Sequence, residues 1–178
     1  MQIYETGISN LILIKPKTFS DRRGFFLENY HSARYREVGI SEDFIQDNHS
    51  RSLKNVVRGL HFQVQFPQAQ IVTVMSGHIY DVALDVRQDS PTFGKWFGAD
   101  LKAGDVCQMY MGPGFAHGFC VLSEEADLHY KVSRHYTPND EGGIRWNDPD
   151  LGISWPVKDP IISDRDAAYS GFREFFKA

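Results

Sequence analysis

The stretch Ile79-Tyr80-Asp81-Val82-Ala83-Leu84-Asp85-Val86 sets the fold class. Tyr80, Val82, Leu84 and Val86 fall on one face and Asp81, Ala83 and Asp85 on the other, the period of two that a β-strand requires. Working outward, similar short runs recur about every ten residues, divided by Gly, Pro, Asn and Asp. They are Leu11 to Ile14, Phe25 to Tyr30, Phe44 to Gln46, Val56 to Gln63, Ile71 to Met75, Phe97 to Leu101, Val106 to Met111, Phe115 to Leu122 and Leu128 to Ser133. Strands so spaced fit an antiparallel sandwich or barrel and leave little room for helices. One helix is expected from Ser32 to Val38, where Ser32 can cap the first turn and Gly39 can close the last in a left-handed conformation. The tail from Asp164 to Phe176 has room for another.

At 178 residues the chain can bury one sizeable core, and no linker, repeat or low-complexity segment divides it. A single domain over residues 1–178 is expected, with the segment from about residue 134 packed on the barrel. An aromatic share of 13% suits sheets and ring-binding pockets. The net charge is −4 and the 19 Lys and Arg residues are scattered, so the footprint of a nucleic-acid binder is missing. Cys107 and Cys120 lie in apolar contexts without C-x-x-C spacing and read as two buried thiols. No apolar run nears the roughly 18 residues of a membrane span and no basic segment precedes an apolar one near the start, so no membrane partner and a cytoplasmic location are expected.

Strand parity puts Leu128, Tyr130 and Val132 on one face, and Phe115, His117, Phe119 and Val121 on one face of another strand. Tyr130 and His117 then face an apolar interior. A polar side chain there needs a hydrogen-bond partner or a cavity, because burying it alone costs roughly 1–3 kcal/mol, and a small barrel can hold one ligand. His61 lies in Val57-Arg58-Gly59-Leu60-His61-Phe62-Gln63, beside a glycine that lets backbone or ligand approach closely. In an ideal strand Arg58 and His61 point to opposite faces, so for both to touch one ligand a bulge or bend at Gly59 is needed. Each residue also has a plain structural reading, His61 and His117 as hydrogen-bonded strand histidines and Tyr130 as a core tyrosine. His31, His49, His78, His129 and His135 form no arrangement with chemical meaning.

Six segments taken together are far more specific. They are Asp21-Arg22-Arg23-Gly24-Phe25-Phe26, Gln46-Asp47-Asn48-His49-Ser50, Arg58-Gly59-Leu60-His61-Phe62-Gln63, Asp89-Ser90-Pro91-Thr92-Phe93-Gly94, Gly114-Phe115-Ala116-His117-Gly118-Phe119 and Trp146-Asn147-Asp148-Pro149. With them the chain closely resembles the dTDP-4-dehydrorhamnose 3,5-epimerase family, in that family's order, from about Leu11 to Asp166. The resemblance implies an all-β, cupin-type jelly-roll barrel with a few short helices. It also implies an isomerase of deoxysugar biosynthesis that inverts a nucleoside-diphosphate-linked 4-keto-6-deoxyhexose at C3, C5 or both. Bonds next to the ketone are acidified by it, so inversion needs a base on one face, an acid on the other and stabilisation of the enolate between them. No cofactor and no metal are implied.

By resemblance the base is His61, the acid is Tyr130, and an aspartate that orients the base matches Asp166, with Asp164 as the alternative in a shifted register. Imidazole titrates near neutral pH and suits proton abstraction, while a tyrosine facing an apolar interior is neutral and can donate. Arg23, Glu28, Gln46, Asn48, Arg58 and His117 match residues that hold the sugar and diphosphate, with Arg suited to phosphate by its planar fork of donors. Tyr136 matches a residue stacking on the base, Glu141 a nucleoside-contacting acid, and Arg165 a position where many members have lysine.

Two positions depart from the pattern. Gln70 follows Gln68-Ala69 where members place a lysine that helps stabilise the enolate, and Thr73 stands where an arginine is common. A neutral amide donates a hydrogen bond of roughly half the strength of a charge-assisted one. The segment Val64-Gln65-Phe66-Pro67 is also more apolar than the family's. These differences point to a changed substrate, in carrier (CDP in place of dTDP), in sugar, or in the number of carbons inverted. Two rival readings stand beside this one. A metal-dependent cupin enzyme fits Pro113-Gly114-Phe115-Ala116-His117 but lacks the first H-x-H motif, and a sugar-nucleotide binding protein without activity takes Gln70 as its lesion. The resemblance further implies a homodimer with N-terminal strands exchanged.

Overall fold

The computed structural model describes residues 1–177. The strands are β1 (Gln2–Glu5), β2 (Leu11–Lys15), β3 (Thr18–Asp21), β4 (Gly24–Leu27), β5 (Gln46–Leu53), β6 (Val57–Gln63), β7 (Gln70–Ser76), β8 (His78–Asp85), β9 (Trp96–Lys102), β10 (Gln108–Met111), β11 (Phe115–Val121), β12 (Glu125–Val132) and β13 (Glu141–Gly143). The short helices are α1 (Ser32–Glu37), α2 (Asp164–Ala167) and α3 (Phe172–Phe175). Two antiparallel sheets face each other, ordered β1-β2-β10-β7-β12-β5 and β13-β6-β11-β8-β9. From β5 to β8 the chain changes sheet at every strand, and it does so again from β9 to β13. That is the jelly-roll path of a cupin-like, all-β fold.

Three apolar layers follow. Between the sheets lie Leu11, Val72, Met109 and Leu128 from one and Ile79, Ala83, Phe115 and Phe119 from the other. Outside the six-stranded sheet, Ile12, Ile14, Ile71 and Tyr110 are covered by Tyr35 and Ile40. Outside the five-stranded sheet, Leu60, Val82, Leu84 and Ala116 are covered by Leu151, Ile153, Trp155, Phe172, Phe175 and Phe176. Strand β8 is therefore buried on both faces. Its apolar face meets the C-terminal segment, and the face carrying Asp81 and Asp85 looks between the sheets.

Several local expectations need correcting. β5 starts where the run Phe44 to Gln46 was expected to end, and residues 41–45 are not strand. β4 stops at Leu27 instead of reaching Tyr30, and β10 starts at Gln108 because Val106 sits in a turn at φ 45°. Ser32 is the first residue of α1, with His31 at the cap position and no side-chain cap, while Gly39 closes the turn at φ 91°. The tail holds two short helices where one was expected. Cys120 is buried but Cys107 only half-buried. β3 and β4 pair only with each other, and this hairpin leaves Phe19, Phe25 and Phe26 exposed.

Candidate active site

The sandwich interior is packed at one end and hollow at the other. A cavity of about 350 Å³ opens there, lined by Gln46, Asn48 and Ser50 of β5, Gln70 of β7 and Tyr130 of β12 on one side. Arg58 and His61 of β6, His117 and Phe119 of β11, and Glu141 of β13 face them.

Arg58 and His61 share this cavity because β6 carries an extra residue. Its register to β11 runs His61↔His117 and then Arg58↔Phe119, so three steps on β6 oppose two on β11, a bulge that returns both side chains to one face. Gly59 makes it possible, with φ 124° and its Cα side so close to β11 that a Cβ would lie 2.5 Å from Gly118 Cα. The parity conflict in the sequence is thus resolved at the glycine that flagged it.

His61 Nε2 lies 2.8 Å from Asp166 Oδ1, and the other oxygen, Oδ2, accepts from Gly59 N–H at 3.1 Å. Asp166 is 2% exposed. Burial alone raises its carboxyl, but the bonds from His61, Gly59 and Ser163 outweigh burial and hold it below the usual carboxylate range. A carboxylate only accepts, so neutral His61 carries its proton on Nε2 and leaves the Nδ1 lone pair free. Asp164 is exposed and takes no part, which decides between the two aspartates as neighbours of His61.

Directly across the β6–β11 pair, His117 Nε2 lies 2.7 Å from Asp81 Oδ1. Asp81 is fully buried and its Oδ2 has no partner among the described residues. Tyr130 reaches in from the opposite sheet. Burial raises its hydroxyl, Glu141 adding to this and Arg58 opposing it, so the phenol is neutral and a donor. Arg58 is bonded to Ser52 Oγ at 3.0 Å and pairs with no carboxylate among the described residues. At the rim Glu141 accepts from Tyr136 Oη and, at 2.8 Å, pairs with Arg165. Gln70 makes no side-chain hydrogen bond among the described residues and its amide is free toward the cavity.

Of the residues singled out by sequence, Gln46, Asn48, Arg58, His61, Gln70, His117, Tyr130, Tyr136, Glu141 and Arg165 come together around the cavity, with Asp166 behind His61. Arg23 and Glu28 do not. Arg23 is bonded to Asp21 on the exposed hairpin, and Glu28 to Arg34 just beyond it. Thr73 also lies off the cavity, bonded to Gln108 on the outer side of β7, so its difference from the family does not touch the pocket. Sequence reasoning missed Ser50, Gln63 and Phe119 in the lining, and Asp81 behind His117, although the parity of β8 held the signal for Asp81. No group of three or more His, Cys, Asp or Glu among the described residues is placed to hold a metal ion.

A family profile described as dTDP-4-dehydrorhamnose 3,5-epimerase matches residues 5–174. The chain belongs to this epimerase family. The dTDP-4-dehydrorhamnose 3,5-epimerase of Salmonella typhimurium is 46% identical over 171 residues, 94% of this chain and 93% of that protein. A crystal structure of the Legionella pneumophila enzyme, in complex with dTDP-4-keto-L-rhamnose, superposes with a TM-score of 0.94 at 45% identity, covering 97% of this chain and 93% of that one. A dTDP-4-dehydrorhamnose 3-epimerase of Streptomyces niveus is 41% identical over 169 residues, 93% of this chain and 81% of that protein. Family members are isomerases acting on sugar nucleotides.

Proposed function

We propose that this chain, working as one domain, epimerises a nucleoside-diphosphate-linked 4-keto-6-deoxyhexose through an enolate. The observation that carries the reading is that an aspartate-held histidine and a neutral tyrosine enter one cavity from opposite sheets. A sugar ring between them meets a base on one face and an acid on the other. His61 Nδ1 takes the proton from the carbon beside the ketone, and the electron pair moves onto the carbonyl oxygen. Tyr130 then delivers its proton to the other face of the same carbon and the ketone re-forms. The imidazolium and phenolate return to their starting states by proton exchange with solvent. Asp166 stabilises the imidazolium and fixes the tautomer.

Arg58, without a carboxylate partner among the described residues, suits the diphosphate, and Tyr136 with Glu141 and Arg165 suits the nucleoside at the rim. Gln70 offers its amide to the enolate oxygen without a full charge, so transition-state stabilisation there falls to neutral donors. dTDP is the carrier its family favours. Arg23 on the hairpin and Glu28 just past it lie off this chain's own cavity, and the exposed Phe19, Phe25 and Phe26 of that hairpin support a homodimer in which the arm reaches a second copy's site. A charged sugar nucleotide does not cross a bilayer unaided, which supports a cytoplasmic site of action.

The test is proton exchange. With dTDP-4-keto-6-deoxyglucose in heavy water, NMR is expected to show deuterium entering at C3, C5 or both, and repeating it with the CDP sugar ranks the carriers. Deuterium at neither carbon with either sugar overturns the reading.

A further inference from the structure

Tyr169 lies outside the cavity lining, two residues past α2, and touches the base from behind. Its ring meets the His61 imidazole edge-on, with centroids 5.8 Å apart and planes at 65°. Its hydroxyl donates to Glu141 Oε1 at 3.3 Å. The ring occupies a space that only glycine leaves open, since a Cβ on Gly143 would lie 2.3 Å from the ring carbons. Gly143 is also the residue paired with His61 in the β13–β6 register. Burial, with the Glu141 carboxylate close by, pushes the Tyr169 hydroxyl up to about 12, so it is protonated and donates.

Among the described residues His61 is held at one nitrogen only. A single hydrogen bond at Nε2 fixes the tautomer but lets the imidazole rock about the Nε2···Oδ1 direction, which swings Nδ1 across the cavity. A rigid aromatic ring packed edge-on against the imidazole removes that freedom. We infer that Tyr169 is a positioning residue for the catalytic base, its ring holding the imidazole with Nδ1 aimed at the substrate. This rests on the epimerase reading above. Small misplacements of a reacting group are costly, about a hundredfold per ångström.

Tyr169→Ala is expected to lower kcat for exchange by roughly ten- to a hundredfold while KM and the Kd of dTDP stay within about twofold. Tyr169→Phe keeps the ring and is expected to restore kcat to within about threefold of the parent chain. Should the alanine variant not fold, Tyr169→Leu fills the space beside Gly143 without a rigid ring, and its kcat is expected to fall about tenfold. An unchanged kcat in these variants, a phenylalanine variant as slow as the alanine one, or a Kd for dTDP that weakens in step with kcat each overturns the inference. A substrate-free arm separates it from the function itself. The ¹³C–¹H relaxation signals of the His61 ring are expected to report a rigid imidazole in the parent and Tyr169→Phe, and a rocking one in Tyr169→Ala or Tyr169→Leu. Identical signals throughout overturn the role of Tyr169 whether or not any sugar exchanges.

Discussion

Two histidine–aspartate pairs sit side by side on neighbouring strands, and they are built differently. Asp166 comes from the C-terminal segment and both its oxygens are satisfied, one by His61 and one by Gly59 N–H. Asp81 comes from the adjacent strand β8, is equally buried, and has His117 as its one partner among the described residues. His61 is also the more open, with 28% of its side chain exposed against 12% for His117. The first carboxylate is supported independently of its histidine, so that histidine can carry a proton through a cycle. The second leans on its histidine for the one bond it makes among the described residues, which suits a fixed wall of the site.

This contrast can be broken most directly at His61. Replacing it by asparagine is expected to slow deuterium exchange on the order of 10³-fold while dTDP binding persists, because removing a general base costs about 10²- to 10⁴-fold. Retained exchange overturns the assignment of the base. Next in size is Asp166→Asn. Its amide can donate to Nε2, moving the histidine proton to Nδ1 and blocking the nitrogen that faces the cavity, so kcat is expected to fall on the order of a hundredfold with little change in fold.

His117 is expected to show the opposite balance. His117→Ala leaves a buried carboxylate with no partner and is expected to lower stability to urea by about 1–3 kcal/mol. In His61→Ala, Asp166 keeps Gly59 N–H and the loss is expected below about 1 kcal/mol. Equal losses erase the distinction between the pairs.

A third carboxylate, Asp85, sharpens it at the satisfied extreme. Burial raises its carboxyl, but Arg87, Ser90 and Thr92 outweigh that and bring it down to about 2 from 3.8. A carboxyl lowered by folding contributes stability that is complete above the unfolded value and lost as pH falls through the folded one. At about 1.36 kcal/mol per unit, roughly 2 kcal/mol is expected to disappear between about pH 4 and pH 2. Asp85→Asn is expected to flatten that part of the acid-denaturation curve.

The sequence disclosed these pairs unevenly, for physical reasons. β8 is legible because alternation survives even with both faces buried, yet alternation does not say which face looks inward. Here the face carrying Asp81 and Asp85 does. β5 reads Gln46-Asp47-Asn48-His49-Ser50 and shows no apolar alternation, since its inward side chains line a polar cavity instead of a core. It was visible as a family motif and not as a strand. Gly59 announced the bulge through the parity clash of Arg58 and His61. Tyr169 gave no signal, because a lone aromatic between two four-residue helices has no period to belong to.

His61 and Asp166 are separated by 105 positions along the chain. Synthesis makes β6, β11 and β12 well before α2, so a nascent chain can close both sheets around a cavity that already holds His61, His117 and Tyr130. Until the C-terminal segment docks, with Val57 N–H on Ile161 O and the aromatic rings of α3 over Phe62, that cavity has its histidine but nothing to set its tautomer. On the proposed mechanism proton transfer waits for this docking, and turnover measured during refolding is expected to trail the gain of β-sheet.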